Sequence, residues 1–270
     1  MNDKPRWAGR RSVGFLKVFN RFYLCLVMGG KSPVPLLVDG KRVDGRSPDD
    51  HRPVMMRVGV LPNASGSALV GYGNTVVLAA VYGPREAMPR HIALPDTGVL
   101  RVRYHMAPFS TDERKSPAPT RREIEISKVV REALEPVIFL EQFPKSSIDV
   151  FLEVLQADGS TRVTSITAAS LALADSGIPM RDLVVGVSIG KIGSTVVVDL
   201  NKLEDNYGDG DMPIAVVYKR SWVTLMQADG SWTVDEVKTG LSLAFKAAEP
   251  IYKMERDTLK GRYSEEAISP

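Results

Sequence analysis

Ser147-Ile-Asp-Val-Phe-Leu-Glu-Val-Leu-Gln156, continued by Ala157-Asp-Gly-Ser-Thr-Arg162, is the stretch that decides the fold. Its first part alternates apolar and polar residues with the period of two that a strand with one buried face requires. The next segment, 163–176, is rich in alanine, serine and threonine, which predicts a buried helix that other elements can approach closely. Gly177 and Pro179 end that helix. The chain therefore forms a strand–loop–helix unit here.

The remaining elements are clusters of strands separated by single helices. Helices are predicted at Arg121–Val137 and Thr233–Leu259, while residues 31–53, rich in Pro, Gly, Asp and Arg, predict an extended arm. The predicted strands are Val54–Val60, Ser67–Tyr72, Thr75–Tyr82, Leu100–Met106, Leu183–Ile189, Thr195–Leu200, Met212–Tyr218 and Trp222–Gln227. This order is typical of an α+β fold built from two similar halves that divide near residue 180.

Composition limits the class of protein. The 270 residues, 44% hydrophobic and 25% charged, are enough for a substantial core. The net charge of +3 arises in residues 1–27, and the rest holds 29 basic against 31 acidic residues, so global charge is no evidence for a nucleic-acid partner. A single cysteine, Cys25, excludes an internal disulfide and fits a cytoplasmic protein. No stretch reaches the roughly 20 apolar residues of a membrane span, so no membrane partner is expected.

The N-terminal segment has some features of a targeting sequence. A basic stretch precedes the apolar run Phe15–Met28, as in a signal peptide, but Lys17 and Arg21 interrupt the run and no small-residue cleavage site follows cleanly. Our hypothesis is that Met28 is the true start. Residues 1–30 are then a non-native or disordered extension, residues 31–180 the first half of the domain and residues 181–270 the second half.

The loop before the buried helix has the features of an anion site. Unpaired backbone N–H groups and the positive end of a helix dipole favour an anion there, and Gly159 allows the backbone to approach it. Ser160 and Thr161 offer hydroxyl donors, and Arg162 can bind two phosphate oxygens at once. The alternative is ordinary helix capping by Asp158 or Ser160, with Arg162 on the surface.

An acidic turn follows some fifty residues later, Asp205-Asn-Tyr-Gly-Asp-Gly-Asp211, with Asp199 and Glu204 just before it. A calcium loop beginning at Asp205 fails, because its twelfth position is Val216 where a glutamate is needed. Mg²⁺ or Mn²⁺ needs only one or two carboxylates, which Asp205 and Asp211 could supply. The alternative is a solvated turn, and Asp209 fits that description best.

Several arginines could follow a phosphodiester backbone, and three separate segments supply them. The candidates are Arg85, Arg90, Arg101, Arg103, Arg114, Lys115, Arg121 and Arg122. The three histidines lack metal-ligand spacing, and neither a nucleophile elbow nor a Walker loop occurs. A histidine-driven hydrolase is therefore disfavoured.

Four segments in this order resemble the signature segments of the RNase PH family: Gly73–Arg85, Thr120–Ser127, Gln156–Arg162 and Glu204–Ala215. The chain is most similar to the catalytic RNase PH-like subunits of archaeal exosomes, from about residue 31 to the C-terminus. The resemblance implies an RNase PH-like fold, with β-α-β halves like domain 2 of ribosomal protein S5 and a long C-terminal helix.

The resemblance also implies a reaction, phosphorolysis of RNA from its 3′ end with inorganic phosphate as co-substrate. Gly159, Ser160, Thr161 and Arg162 match the family's phosphate-binding segment. Asp205 and Asp211 match its acidic pair, which holds a metal ion and serves protonation of the leaving oxygen; Asp211 could be acid, ligand or both. Arg85, Arg90 and Arg122 match positions near the path of single-stranded RNA.

The chain departs from stand-alone bacterial members of the family at one position. Those members carry an arginine after Met-x-Pro, whereas Phe109 follows Met106-Ala-Pro108 here. The departure favours a hexameric ring, a trimer of heterodimers with an inactive RNase PH-like paralogue, to which RNA-binding cap subunits attach. The alternatives are a non-catalytic RNA-binding ring scaffold and a homohexamer that trims tRNA 3′ ends.

Overall fold

A computed structural model describes residues 32–266. A short hairpin, β1 (Leu37–Val38) and β2 (Lys41–Arg42), precedes the first sheet. That sheet has five strands in the order β3-β4-β5-β7-β6, in which only the β6–β7 pair is parallel. Its strands are β3 (Val54–Val58), β4 (Gly66–Tyr72), β5 (Thr75–Glu86), β6 (Val99–Met106) and β7 (Ser146–Gln156).

The second sheet is antiparallel and follows the order β11-β10-β8-β9, with β12 also paired to β10. Its strands are β8 (Val185–Ile192), β9 (Thr195–Val198), β10 (Gly210–Val217), β11 (Trp222–Met226) and β12 (Asp229–Gly230). Four α-helices complete the described residues: α1 (Arg121–Leu134), α2 (Thr161–Asp175), α3 (Lys202–Tyr207) and α4 (Val234–Glu266). The predicted α+β fold with a long C-terminal helix is confirmed.

Helix α2 lies between the two sheets and contacts strands of both. Every residue of α2 except Arg162 and Ala174 is buried. The sheets reach the helix at glycines: a Cβ at Gly66 would lie 2.4 Å from the Ala172 carbonyl oxygen, and a Cβ at Gly186 would lie 2.3 Å from that of Val163. The predicted buried helix with close neighbours is thus observed, and its N-terminus is fixed between the two sheets.

Segment 31–53 differs from the expected extended arm. Its residues from 32 onward fold back on the second sheet, where the backbone N–H of Val198 donates to the carbonyl of Pro48. Arg42 and Arg52 are buried, 3% and 6% exposed. They neutralise buried acids on the other half, which is why this polar segment packs instead of remaining in solvent.

The acidic turn also differs from expectation, because Asp205 lies on a helix. The Asn201 side chain accepts from the backbone N–H of Glu204, and the Glu204 carboxylate accepts from that of Asn201. This reciprocal capping box starts the six-residue helix α3. Only Gly208 and Asp209 remain as the connection to β10.

Within residues 32–266 no helix is long and apolar enough to cross a membrane. The hypothesis about Met28 and the N-terminal extension falls on residues 1–31, outside the described part of the chain.

We expect Gly186→Ala to lower the free energy of unfolding by about 1–3 kcal/mol, because the added methyl group must displace the backbone of α2. Gly261→Ala is the matched control, since a Cβ there meets open space. Thermal or denaturant unfolding of both variants measures the difference. Equal stability of the two variants would contradict the close approach of β8 to α2.

Candidate functional site

The loop between β7 and α2 (residues 157–160, the anion loop) is held in place from several sides. The backbone N–H of Ala157 donates to the Ser110 carbonyl at 2.8 Å. The Thr75 hydroxyl accepts from the N–H of Asp158 at 3.0 Å and donates to the Gly159 carbonyl at 2.7 Å. The loop is therefore positioned before any ligand arrives.

Gly159 and Ser160 take the left-handed conformation, with φ of +74° and +56°. A Cβ at Gly159 would lie 2.7 Å from the Leu200 carbonyl oxygen, so glycine is required for both conformation and space. The Ser160 hydroxyl donates to that same carbonyl at 2.8 Å. Serine in this conformation is less favourable than glycine, and the bond to Leu200 offsets part of that strain.

No side chain caps the N-terminus of α2 among the described residues. Ser160 occupies the N-cap position, but its hydroxyl is directed to Leu200, and the Asp158 carboxylate accepts from the Asn74 amide and the Lys202 backbone N–H. The capping alternative raised from the sequence is therefore not realised. The first-turn N–H groups and the positive end of the helix dipole remain for an anion.

Arg162 is the only charged residue of the first turn of α2, and its side chain is 22% exposed. Its Nη1 donates to the Gln227 side-chain oxygen at 2.8 Å, and its Nη2 lies 3.7 Å from Glu125. Its Nε is buried without a hydrogen-bond partner in the described structure. An unpaired guanidinium donor beside an uncapped helix end is a position that a phosphate oxygen would satisfy.

Thr161 is 6% exposed, and its hydroxyl oxygen accepts from the Tyr104 hydroxyl at 3.1 Å. Its own proton remains for a second acceptor. The expected phosphate-binding residues thus share one loop and helix end, with the Ser160 hydroxyl already bonded within the protein.

Asp205 on α3 and Asp211 on β10 lie on opposite sides of the short connection that follows α3. Asp211 is paired in register with Gly190 of β8 and Asp229 of β12, so neighbouring strands fix its backbone on both sides. The charge of Arg162 acts on both carboxylates, as does that of Arg122. The fold therefore brings the anion loop and the acidic pair to one place.

Burial and the neighbouring charge of Asp205 raise the pKa of Asp211 to about 6, against the opposing effect of Arg162. Asp205 is an exposed residue, yet the protein packed around its carboxylate raises its pKa too, and the charges of Arg122, Arg162 and Arg52 oppose that rise. Two carboxylates that resist ionisation together provide a place for a cation.

The donor set fits a hard divalent cation with several open positions. The described residues contain no cluster of three or more Asp, Glu, His or Cys side chains suited to a metal. Asp205 and Asp211 would supply its carboxylate ligands, with water and phosphate oxygens completing the shell, as Mg²⁺ accepts.

The other acids have structural partners. Glu204 is 1% exposed and forms a two-pronged ion pair with Arg42, while Asp199 is fully buried and forms one with Arg52. Although burial opposes ionisation, the hydrogen bonds from Arg52 hold the pKa of Asp199 well below its usual range. Asp209 accepts from the backbone N–H of Gly193 at 2.6 Å, as a turn residue does.

The candidate RNA-binding arginines do not all lie at this site. Arg122, at the start of α1, is exposed and close enough to influence both carboxylates. Arg85 is exposed near the end of β5, and with Thr75 at the site a rise of about 3.3 Å per residue places it roughly 30 Å away. Arg90 follows it and pairs with Glu86 at 3.3 Å.

Phe109 is 74% exposed. The next residue, Ser110, accepts the N–H of Ala157, so Phe109 borders the anion loop. At the position where bacterial members were expected to carry arginine, this chain presents an uncharged aromatic ring to solvent.

The structure adds residues that the sequence analysis did not select. Arg52, Thr75 and Asp199 hold the anion loop and the chain before α3, and Gln227 and Glu125 orient Arg162. The sequence signal for Arg52 was indirect: segment 31–53 is rich in arginine, and Asp199 and Glu204 had no assigned partner. Thr75 and Gln227 carry no signal in a single sequence.

We expect Asp211→Asn, free of metal and phosphate, to raise the free energy of unfolding by about 1–2 kcal/mol at pH 8. The folded-state pKa near 6 lies above the unfolded value of about 3.9, so the native charge is unfavourable above pH 6. The gain should fall as pH drops through 6 and vanish below about 4.

Denaturant titrations across this pH range, with EDTA present, measure the gain. Asp209→Asn is the control in the same connection, and a gain of equal size there would attribute the effect to general loss of negative charge. A gain independent of pH would contradict the raised pKa.

The chain is similar to known proteins along most of its length. Two family models match, the 3′ exoribonuclease family domain 1 over residues 50–179 and domain 2 over residues 182–247. Exosome complex component Rrp41 of Pyrobaculum calidifontis is 64% identical over 234 residues, 86% of this chain and 95% of that protein. The corresponding protein of Thermococcus onnurineus is 55% identical over 238 residues, 87% of this chain and 96% of its own length.

Solved structures are similar as well. An Archaeoglobus fulgidus exosome chain, from a structure with RNA bound to the active site, aligns with a TM-score of 0.71 and 27% identity, covering 80% of this chain and 93% of that chain. Rice Rrp46 aligns with a TM-score of 0.73 and 26% identity, covering 81% and 100%. The resemblance inferred from four short segments is confirmed, and the chain belongs to the RNase PH family of 3′ exoribonucleases.

Proposed function

We propose that this protein is the phosphorolytic 3′-to-5′ exoribonuclease subunit of an exosome ring. One observation carries the proposal. The N-terminus of α2 is uncapped and has the unpaired Nε of Arg162 beside it, and Arg162 is close enough for its charge to act on Asp205 and Asp211. Such a site suits a reaction in which one phosphate attacks another and no covalent nucleophile is needed.

In the proposed reaction, inorganic phosphate occupies the N-terminus of α2. The N–H groups beyond Gly159 and the guanidinium of Arg162 orient one of its oxygens toward the last phosphodiester of the RNA. That oxygen forms a bond to phosphorus while the bond from phosphorus to the 3′ oxygen of the preceding nucleotide breaks. The products are a nucleoside 5′-diphosphate and an RNA one residue shorter.

The departing 3′ oxygen must gain a proton. Without a bound cation, burial and the charge of Asp205 raise the pKa of Asp211 to about 6, so this carboxyl group could supply the proton; a carboxylate bound to a metal ion would be ionised, and coordinated water would then be the donor. A bound Mg²⁺ or Mn²⁺ would neutralise charge on the phosphates and lower the pKa of coordinated water. Asp205 and Asp211 are the residues that would hold it.

The arginines and Phe109 support a path for single-stranded RNA. Arg122 lies beside the acidic pair and suits the terminal phosphates. Arg85, near the far end of β5, and Arg90, beyond that strand, suit a more distant part of the RNA. Phe109 offers an exposed ring on which a base can stack.

The assembly is proposed from the relatives. The similar proteins of Pyrobaculum and Thermococcus are named exosome complex components, and the similar Archaeoglobus structure is an exosome with RNA bound. We infer a hexameric ring with an inactive RNase PH-like paralogue, RNA-binding cap subunits, and a cytoplasmic location. A purely scaffolding role is disfavoured because Arg162, Asp205 and Asp211 are all present and grouped.

We expect the ring assembled with its paralogue to shorten single-stranded RNA only when Mg²⁺ and inorganic phosphate are both present. Chromatography should identify nucleoside diphosphates as products. Release of monophosphates without phosphate would contradict phosphorolysis.

Asp211→Ala should reduce turnover by at least about 1,000-fold, since the variant loses the carboxylate whether it serves as metal ligand or as proton donor. RNA binding, measured by fluorescence anisotropy, should persist. Asp209→Asn is the matched control and should retain activity. A fully active Asp211→Ala ring would overturn the assignment.

Phe109→Ala should weaken binding of single-stranded RNA by about 5- to 100-fold through loss of base stacking. The KM for phosphate should stay unchanged, because the phenylalanine side chain carries no charge. Phe109→Tyr keeps the aromatic face and serves as the control. Unaltered RNA affinity of Phe109→Ala would remove Phe109 from the RNA path.

A further inference from the structure

Arg52 connects two loops that belong to different halves of the chain. Its Nη1 donates to the Asp158 carbonyl at 2.6 Å, within the anion loop. Its Nη2 donates to the Leu200 carbonyl at 3.1 Å, in the loop that leads into α3. The side chain is 6% exposed, so both contacts form away from solvent.

The position of Arg52 is itself fixed by Asp199. Nε and Nη2 of Arg52 donate to the two Asp199 carboxylate oxygens at 2.7 and 2.8 Å, and the Arg52 backbone N–H donates to the same carboxylate at 3.0 Å. Asp199 is fully buried. The guanidinium plane is thus oriented by one loop while its remaining donor reaches the other.

Both loops bear on the chemistry of the site. Asp158 directly precedes Gly159, so its carbonyl position sets how the first-turn N–H groups of α2 face an anion. The Leu200 carbonyl also accepts from the Ser160 hydroxyl, so Arg52 and a residue of the anion loop donate to the same oxygen. Helix α3 begins directly after Asn201 and carries Glu204 inward and Asp205 to the site.

We propose that Arg52 is a positioning residue, which fixes the separation between the phosphate-binding backbone and the carboxylates Asp205 and Asp211. Arg52 touches neither substrate nor metal in this role, and it acts through Asp158 and Leu200. The role rests on the proposed function, because the two loops are taken as the phosphate and metal sides of one centre. Loss of Arg52 should therefore impair phosphate use more than RNA binding.

A purely structural role must be separated from positioning. Arg52→Ala alone would leave the buried Asp199 charge without its main partner and could unfold the chain. The double variant Arg52→Met with Asp199→Asn removes both charges. The asparagine keeps an oxygen that can accept from the backbone N–H of residue 52, and it tolerates the φ of +58° at position 199. This variant keeps the packing and removes the contacts to Asp158 and Leu200.

Steady-state kinetics of the ring form the first test. The double variant should raise the KM for phosphate by at least 10-fold and lower kcat, with RNA affinity within 2-fold of the unaltered ring. Arg52→Lys should share the defect, since an ammonium cannot bind Asp199 with two prongs and reach Asp158 as well. Lys246→Met is the control, because Lys246 forms an ion pair with the exposed Asp49, which belongs to the same segment 31–53 as Arg52.

Hydrogen–deuterium exchange forms the second test and needs no activity. The amides of Ala157, Asp158 and Thr164, which are hydrogen-bonded in the loop and first turn, should exchange at least 10-fold faster in the double variant, while those of β7 and of the α2 interior keep their rates. Unchanged exchange, or an unchanged KM in a ring that requires phosphate, would overturn the role of Arg52. A wild-type ring that ignores phosphate would instead refute the proposed function, and the exchange result would still decide whether Arg52 positions the loop.

Discussion

Burial of α2 between two sheets is the constraint on which the rest of the structure depends. The helix buries nearly all of its side chains, and glycines in β4 and β8 bring the sheets against its backbone. At its C-terminal end, the buried Asp175 accepts from the Ser67 backbone N–H and from Arg262. A helix held at both faces and at its end cannot shift along its axis without breaking these contacts. Its N-terminal dipole therefore has a fixed position, which is the first requirement of a preorganised anion site.

Charges around that helix end fall into two groups with different consequences. The pairs Arg42–Glu204 and Arg52–Asp199 are buried and mutually neutralised, so they hold loops together and contribute little net potential. Arg162, Asp205 and Asp211 are only partly neutralised and act on one another. Glu204 and Asp205 are neighbours in sequence, yet α3 places one in each group. A six-residue helix thus separates a structural acid, Glu204, from a candidate site residue, Asp205.

Sequence patterns were sufficient for elements whose signal is local. The alternation in Ser147–Gln156 and the small residues after Arg162 predicted β7 and α2, because periodicity and burial depend on neighbours along the chain. Helix α3 was missed, since its capping box is set by Asn201 and Glu204 within a stretch that also reads as a turn. The partners of Arg52 lie 147 and 106 residues away, at Asp199 and Asp158, and such pairing has no local signature.

The same distinction applies to the candidate site. Local features marked Gly159–Arg162 and the acidic residues, but alone they could not distinguish a ligand site from capping or a solvated turn. The fold resolves the first alternative because Ser160 and Asp158 direct their side chains elsewhere. The sequence could not show this, since Leu200 and Lys202, which receive those side chains, belong to the other half.

The raised pKa of Asp211 bears on how phosphate could enter the site. Even with Arg162 nearby, burial and Asp205 make a second negative charge at Asp211 unfavourable near neutral pH. A phosphate dianion and an RNA phosphodiester would add more negative charge within a few ångströms, where interaction energies are large because solvent is partly excluded. The α2 dipole, Arg162 and Arg122 supply roughly 2.5 positive charges against this. The helix end and the arginines thus favour anions, whereas the acidic pair favours cations, and the fold brings these two opposite electrostatic preferences together.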